Sequence, residues 1–172
     1  MKSVSKIKEM TVVALFVAIM AIVSQISIPM PSAVPFTVQM LAIAFFGYFL
    51  GVKRGMIGIF LYIAIGAVGA PVFAGFKGGF YVLLGPSGGF IWGFAVMVLI
   101  CALFARTRGA IILGILSVLI CHFVGVLQYS FVAGISLWVS FIVVSLPYVL
   151  KDILFIPVAY LLYKRMSKAI KI

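Results

Sequence analysis

The sequence predicts an all-α membrane protein of six transmembrane helices, with both chain ends on the cytoplasmic side. Of its 172 residues, 66% are hydrophobic and 9% are charged, whereas a soluble domain averages about half apolar and a quarter charged. This length accommodates about six spans of roughly 20 residues each, joined by short loops. Long apolar runs without strict alternation exclude a transmembrane β-barrel.

Six apolar runs place the predicted helices within a single transmembrane domain that spans residues 1–172. Proline-rich, glycine-rich or basic segments separate these runs. The predicted helices cover about residues 10–28, 36–50, 56–70, 90–105, 110–132 and 137–163, and the outer loops cover 29–35, 71–89 and 133–136. Loop 71–89 is longer than a connection needs, which is typical of a lid or a binding loop.

The basic residues determine the predicted orientation. The net charge of +11 comes from 13 Lys and Arg against two acids. Six helices place most of these cations on one side: Lys2, Lys6, Lys8, Lys53, Arg54, Arg106, Arg108, Lys164, Arg165, Lys168 and Lys171. Because Lys and Arg accumulate in cytoplasmic loops, this side is predicted to be cytoplasmic in a multi-pass protein of the plasma membrane. The same distribution argues against nucleic-acid binding.

The remaining composition narrows the class of protein. The two cysteines, Cys101 and Cys121, are expected at different depths and therefore unpaired. The sequence carries no Walker motif, no metal-ligand spacing and no hydrolytic constellation. We therefore expect neither an enzyme nor a bound metal or cofactor.

Two adjacent ionisable residues, Lys151 and Asp152, fall within the last predicted helix. Such groups are costly at membrane depth and are functional candidates. Neighbouring helical residues diverge by about 100°, so a direct pair is not expected and each group is predicted to need its own partner. A ligand could supply an anion for Lys151 and N–H donors for Asp152. The alternative is a purely structural or water-bridged pair.

Other polar positions carry weaker signals. Pro147 is predicted to kink the last helix because it removes a backbone donor. Gln25, Gln39 and Gln128 lie near the predicted outer helix ends, where contacts between helices are the usual role. His122 is predicted to be a hydrogen-bonded structural residue, because the chain offers almost no carboxylates for a proton relay.

Aromatic residues concentrate in and beside the predicted outer loops. Tryptophans at interface depth are typical of an aromatic belt, whereas phenylalanines in a glycine-rich loop favour an apolar pocket that closes over a small flat ligand. The residues of this group are Phe36, Phe73, Phe76, Phe80, Tyr81 and Phe90.

The segment GPSGGF (residues 85–90), with Lys77 nearby, has the composition of a phosphate-binding loop. The predicted topology places it on the outer side, away from cytosolic nucleotides. Its proline and serine instead suit the start of the fourth helix, and its glycines allow close approach of a ligand or a neighbouring helix.

Four stretches together resemble the BioY family, the biotin-specific substrate-binding subunits of energy-coupling factor vitamin transporters. VPFTVQ (34–39) is similar to the family's V-P-F-T-x-Q, and GAPVFAGFKGG (69–79) to its G-L-P-V-F-A-G-x-x-G-G. GPSGGFIWGF (85–94) is similar to G-P-T-G-G-Y-x-x-G-F, with Ser87 and Phe90 in place of threonine and tyrosine. LPYVLKD (146–152) carries the acid and the base of the family's last helix, although here the lysine precedes the aspartate.

This resemblance implies the six-helix S-component fold and high-affinity capture of biotin from outside. It also implies a complex with a transmembrane coupling subunit and two cytosolic ATPase subunits. The family carries an A-x-x-x-A stripe on its first helix that meets the coupling subunit, and Ala14 and Ala18 match it. Ala21 extends the same face, and closely packed helices use such small residues.

The resemblance also assigns a ligand site. Asp152 is the implied partner of the ureido ring of biotin, and Lys151 a polar or carboxylate contact. The predicted ligand-binding set is completed by Gln39, Phe76, Lys77, Phe80, Tyr81, Ser87, Phe90 and Tyr148.

Several alternatives stay open at this point. The chain could be an S component for another vitamin, of the thiamine or riboflavin class, although cationic thiamine would favour additional acids. It could also transport biotin without partners. A lipid-modifying membrane enzyme would need a catalytic constellation that the sequence lacks. A purely structural subunit would not need Lys151, Asp152 or the long glycine-rich loop.

Overall fold

The computed structural model describes residues 2–170 and confirms the all-α class, with one small sheet added. Its elements are α1 (Lys2–Val23), β1 (Ser27–Ile28), β2 (Phe36–Thr37), α2 (Gln39–Ala67), α3 (Phe80–Leu84), α4 (Gly88–Phe104), α5 (Ala110–Ala133), α6 (Leu137–Val144) and α7 (Leu146–Ile170). Among the described residues, three helical stretches are long and apolar enough to cross a membrane by length and composition alone: Gln39–Ala67, which turns at Gly51, Ala110–Ala133 and Leu146–Ala169. The helix Gly88–Phe104 is apolar but shorter.

Helix α2 is a hairpin of two helical halves that turn at Gly51. Gly51 has φ 72° and ψ 174° inside an otherwise helical stretch, a backbone conformation that favours glycine. The Gln39 Nε2 atom lies 2.9 Å from the hydroxyl of Tyr62, 23 residues along the chain. A straight helix would separate these residues by about 34 Å, so the second half runs back along the first. The sequence predicted two helices with a basic turn here, and a single glycine makes that turn.

Small residues allow the central helices to approach each other closely. Helix α4 packs against α2 on one side and α5 on the other. A Cβ added at Gly47 of α2 would lie 2.7 Å from the Cβ of Cys101, and one at Gly93 would lie 2.6 Å from the Sγ of Cys121. Close helix packing of this kind is typical of membrane bundles. Both cysteines are buried and unpaired, as predicted.

The two segments predicted as irregular outer loops contain local structure. Strands β1 and β2 close the proline-rich loop as an antiparallel pair that aligns Ser27 with Thr37. The glycine-rich loop contains helix α3 and a bridge between Phe73 and Lys77. The strand pair spans only two residues on each side, which is too short to produce a recognisable alternating pattern.

Polar side chains of the residues that follow α1 and of α5 form hydrogen bonds with the backbone of the glycine-rich loop. Ser24 Oγ donates to the carbonyl of Val72 at 2.6 Å, and the amide oxygen of Gln25 accepts from the backbone N–H of Phe76 at 2.8 Å. Gln128 Nε2 donates to the carbonyl of Leu83 at 2.8 Å. Gln25 and Gln128 therefore hold loop backbone, whereas their positions in the sequence favoured contacts between helices.

The last predicted helix is divided into α6 and α7 by a break at Ser145. Ser145 has φ −123° and ψ −52°, and Pro147 follows two residues later. The distortion expected from the proline is therefore present, centred on Ser145. It brings the Ser145 hydroxyl within 2.9 Å of the Nδ1 atom of His122 on α5.

Candidate ligand-binding site

A cavity lies between the proline-rich loop, the glycine-rich loop and the adjoining parts of α4, α5 and α7. The space among its lining residues is about 660 Å³, a figure that includes solvent at its open side. Its apolar wall includes Met40, Phe73, Phe90 and Phe94. Its polar lining consists of Thr37, Gln39, Lys77, Ser87, His122, Tyr148, Lys151 and Asp152.

Asp152 is the central polar group of this cavity. Its side chain is 3% exposed; Oδ1 contacts the Lys151 ammonium at 2.5 Å and Oδ2 lies 3.1 Å from His122 Nε2. The prediction that Lys151 and Asp152 do not pair is therefore wrong. The 100° divergence applies to the Cα–Cβ directions of the two residues. The lysine side chain is long and flexible enough to bend toward the neighbouring carboxylate. Pairing also offsets the cost of burying both charges.

Lys151 joins the carboxylate cluster to the proline-rich loop. Its Nζ donates to the carbonyl of Thr37 at 2.7 Å. The ammonium also lies 4.6 Å from the ring centroid of Phe36 and 5.1 Å from that of Phe155, where cation–π attraction stabilises it. Lys151 therefore has two roles: it lines the cavity, and it holds β2 in place through the carbonyl of Thr37.

His122 belongs to the cavity wall, whereas the sequence predicted only a hydrogen-bonded structural role for it. It is 3% exposed, and its two ring nitrogens contact Ser145 Oγ and Asp152 Oδ2. The Phe90 ring packs edge-on against it with 5.5 Å between centroids. The available signal was composition: the chain has one histidine and two acids, so a membrane-buried carboxylate had few possible polar partners.

Tyr148 and Gln39 link the cavity to both outer loops. The Tyr148 hydroxyl donates to the carbonyl of Val34 at 3.0 Å. Gln39 is buried and donates to the Tyr62 hydroxyl, which itself donates to the carbonyl of Val72 at 2.8 Å. Tyr62 is fully buried and was not predicted as part of the site, because its partners lie far away along the chain.

Ser87 and Lys77 reach the cavity from the glycine-rich loop. Ser87 occupies the N-cap position of α4, but its side chain makes no capping hydrogen bond, so its hydroxyl is available to the cavity that it lines. Lys77 is an exposed residue at the cavity rim.

Three predicted ligand residues do not line the cavity. Phe76, Phe80 and Tyr81 are 72%, 59% and 69% exposed on the outer face of the loop. Helix α3 directs Val82 and Leu83 inward, and its geometry leaves Phe80 and Tyr81 outside. Phe76 has φ 56° and projects outward from the turn. Direct contact between these residues and a ligand in this cavity would require the loop to move.

The alanine stripe lies on the outer surface of α1. Ala14 and Ala18 are exposed, whereas Ala21 is partly buried. The Ala21 carbonyl accepts a hydrogen bond from Gln25 Nε2 at 2.9 Å and lies 2.8 Å from Ser24 Oγ. The first two alanines are therefore accessible to lipid or to another membrane helix, and the third supports the end of α1.

The fold and the cavity define a class: a helical membrane protein whose cavity combines apolar walls with a buried polar cluster. Within residues 2–170, no cluster of three or more His, Cys, Asp or Glu residues could hold a metal ion. The BioY family model matches residues 1–172, and the chain belongs to the BioY family.

Individual relatives are similar over most of their length. The chain is 34% identical over 162 residues to the probable biotin transporter BioY of Pyrococcus horikoshii, covering 94% of this chain and 98% of that protein. It is 35% identical over 159 residues to the biotin transporter BioY of Thermotoga maritima, covering 90% and 92%. A crystal structure of the S-component for biotin from an ECF-type ABC transporter superposes with a TM-score of 0.88 and 28% identity, covering 98% of this chain and 95% of that one.

Proposed function

We propose that this protein binds biotin at the outer face of the membrane and delivers it inward as the substrate-specific S component of an energy-coupling factor transporter. The carrying observation is the buried Asp152 carboxylate, held between Lys151 and His122 at the wall of an apolar cavity, in a chain of the BioY family. As an S component the chain is a transport protein rather than an enzyme. The proposal includes no ATPase of its own and no cofactor, with biotin as the transported ligand.

The chemistry of biotin matches this lining. Its ureido ring carries two N–H donors and a carbonyl, its sulfur ring is apolar, and a hydrocarbon chain leads to its carboxylate. Asp152 would accept from a ureido N–H, and Lys151 beside it would donate to the ureido carbonyl. The phenylalanines Phe90 and Phe94 would cover the apolar ring.

The contact between Lys151 and Asp152 sharpens the orientation of the ligand. Because these groups touch each other, they cannot bind the two distant ends of one extended biotin molecule. Lys77, the other lysine of the cavity lining, is therefore proposed to bind the biotin carboxylate at the rim. This orientation places the ureido ring deep and the carboxylate near the outer opening.

The same proposal includes six passes through the plasma membrane with both termini cytoplasmic. The α2 hairpin supplies two of these passes, and α6 with α7 supplies the last. Ala14 and Ala18 would contact the transmembrane coupling subunit, which is joined by two cytosolic ATPase subunits. The alternative for the same site is biotin transport without these partners.

A direct test compares vitamins on the purified chain. Isothermal titration with biotin, thiamine and riboflavin should show saturable binding of biotin alone. Mass spectrometry of the protein as isolated from cells should identify biotin as a co-purified molecule. Absence of biotin binding at micromolar concentration, or tighter binding of thiamine or riboflavin, would contradict the proposal.

A further inference from the structure

A second site lies at the other end of helix α4 from the ligand cavity. Helix α4 begins beside Ser87 at the cavity and runs for 17 residues to Phe104, a length of about 25 Å. Beyond its end is a cleft, here called the basic cleft, which contains about 960 Å³ of space including its open mouth. Its walls are Arg106, Thr107 and Arg108 on the α4–α5 turn, and Tyr163, Lys164 and Lys168 on α7.

The basic cleft has no acidic side chain to balance its four cations. The chain contains two acids, and both are engaged elsewhere. Glu9 pairs with Arg54 at 2.9 Å, and Asp152 pairs with Lys151 and His122 inside the bundle. Cations that share one cleft repel each other, so an external anion would stabilise the arrangement.

The surroundings favour a lipid over a free anion. An adjoining groove shares Arg106 and Tyr163 with the basic cleft. One wall of this groove is apolar, with Phe49, Leu50 and Leu103, and Leu103 is 54% exposed. The groove also contains Arg54, whose charge is paired with Glu9. A charged cleft that continues along an apolar wall matches a phosphate headgroup followed by an acyl chain.

The partly exposed Tyr160 and Tyr163 beside the basic cleft favour a position at the level of lipid headgroups. Tyr48 packs against Tyr160 and Tyr163, with 5.3 Å and 6.1 Å between ring centroids. Lys164 Nζ lies 5.2 Å from the Tyr160 ring centroid. Tyrosines are enriched at the membrane–water interface, and basic pockets between transmembrane helices bind anionic headgroups.

We infer that the basic cleft binds the headgroup of an anionic phospholipid, with an acyl chain along the Phe49–Leu103 groove. The inference is independent of the vitamin and of the orientation of the bundle. An acidic protein surface would use the cations but would leave the exposed Leu103 on the apolar wall uncovered, so a lipid accounts for more of the site.

The test compares phosphatidylglycerol with phosphatidylcholine on the purified full-length chain by native mass spectrometry. Wild type should retain phosphatidylglycerol preferentially. The variant Arg106→Gln/Arg108→Gln/Lys164→Gln should lose at least about tenfold of that preference, since each cation near an anionic surface contributes roughly fivefold in affinity. The matched control Lys6→Gln/Lys8→Gln/Lys53→Gln removes three exposed cations outside the basic cleft and should change the preference by less than about twofold.

Charge-conserving and competition experiments complete the design. Arg106→Lys/Arg108→Lys should keep most of the lipid preference, and biotin binding should be unchanged in every variant, which shows that the bundle is intact. If the triple variant does not fold, single Arg106→Gln and Arg108→Gln variants should each lose about threefold or more of the preference. Equal loss in the control variant would overturn the inference. Displacement of the lipid by millimolar inorganic phosphate would also overturn the inference. A third contrary result would be that wild type shows no lipid preference while the triple variant loses binding to the coupling subunit.

Discussion

Asp152 contacts a cation on one carboxylate oxygen and an imidazole on the other, while it remains almost completely buried. This explains how a charge is tolerated at membrane depth, because each oxygen has a polar partner. In the proposed complex, a ureido N–H would join this cluster or replace one of its contacts.

Replacing Asp152 by asparagine should weaken biotin binding at least about tenfold, since a hydrogen bond to a charged group contributes about 1.5–3 kcal/mol. Titration calorimetry on the purified variant measures the loss. Glu9→Gln is the matched control, because it makes the same chemical change in the exposed Glu9–Arg54 pair and should leave affinity unaltered. Wild-type affinity in Asp152→Asn would show that Asp152 does not contact the ligand.

Lys77→Gln tests the proposed position of the biotin carboxylate. The variant should bind biotin about twofold to fivefold more weakly, the size expected for a partly exposed ion pair. Its affinity for biotin amide, which lacks the carboxylate charge, should equal that of wild type.

Lys8→Gln serves as the comparison for Lys77→Gln, because Lys8 is an exposed lysine on α1 away from the cavity. It should not change the affinity for either ligand. An equal loss for biotin and biotin amide in Lys77→Gln would mean that Lys77 does not bind the carboxylate.

At the scale of the elements, the turn in α2 brings two distant parts of the site together. Gln39 and Tyr62 meet because the chain reverses at Gly51. Through Tyr62 this contact reaches Val72 in the glycine-rich loop. The hairpin therefore positions both a cavity residue and the loop that borders the cavity.

Gly51→Ala should lower the stability of the bundle by about 1–3 kcal/mol, because its positive φ with an extended ψ is a conformation almost restricted to glycine. A Cβ at this position meets nothing within 4 Å, so the effect isolates backbone strain. Thermal unfolding in detergent should show a lower Tm than for wild type.

Gly109→Ala provides the contrast, since Gly109 has an ordinary φ of −88° and an added Cβ would contact only Leu113 at 3.7 Å. This control should leave Tm nearly unchanged. A similar Tm for Gly51→Ala and wild type would indicate that the turn relaxes without cost.

At the scale of the whole molecule, the two ends of the bundle are chemically different. One end holds the ligand cavity beside the proline-rich and glycine-rich loops, which are hydrogen-bonded to the helices. The other end carries the basic cleft. The exposed face of α1 runs between them and presents Ala14 and Ala18. Neither alanine lines the cavity, and this surface is the one proposed above for assembly with the coupling subunit.

Ala14→Trp or Ala18→Trp should block co-purification with the coupling subunit while biotin affinity stays at the wild-type value. A large ring on this face prevents the close helix approach that alanine allows. Ala64→Trp is the control, since Ala64 is an exposed alanine on the second half of α2, and it should permit assembly. Normal yield of the complex with either α1 variant would refute the assigned interface.

Many of the residues that line the cavity could be predicted from local sequence, but the hydrogen bonds that connect them could not. Asp152, Lys151 and Ser87 were identified because unusual polarity or glycine content marks them within apolar sequence. His122 and Tyr62 resemble ordinary buried residues along the chain, and only their partners distinguish them. Phe80 and Tyr81 share the composition of the lining residues, yet the direction of α3 turns them away.

The sequence by itself determined that the chain is a helical membrane protein, where its apolar runs lie, and which family motifs its outer loops carry. These properties depend on hydrophobicity and residue identity over short stretches. Only the tertiary structure decided that α2 reverses at Gly51, that Lys151 and His122 share one carboxylate, and that Gln25 and Gln128 hold loop backbone. These outcomes depend on contacts between residues far apart in the chain, which close packing of the helices selects.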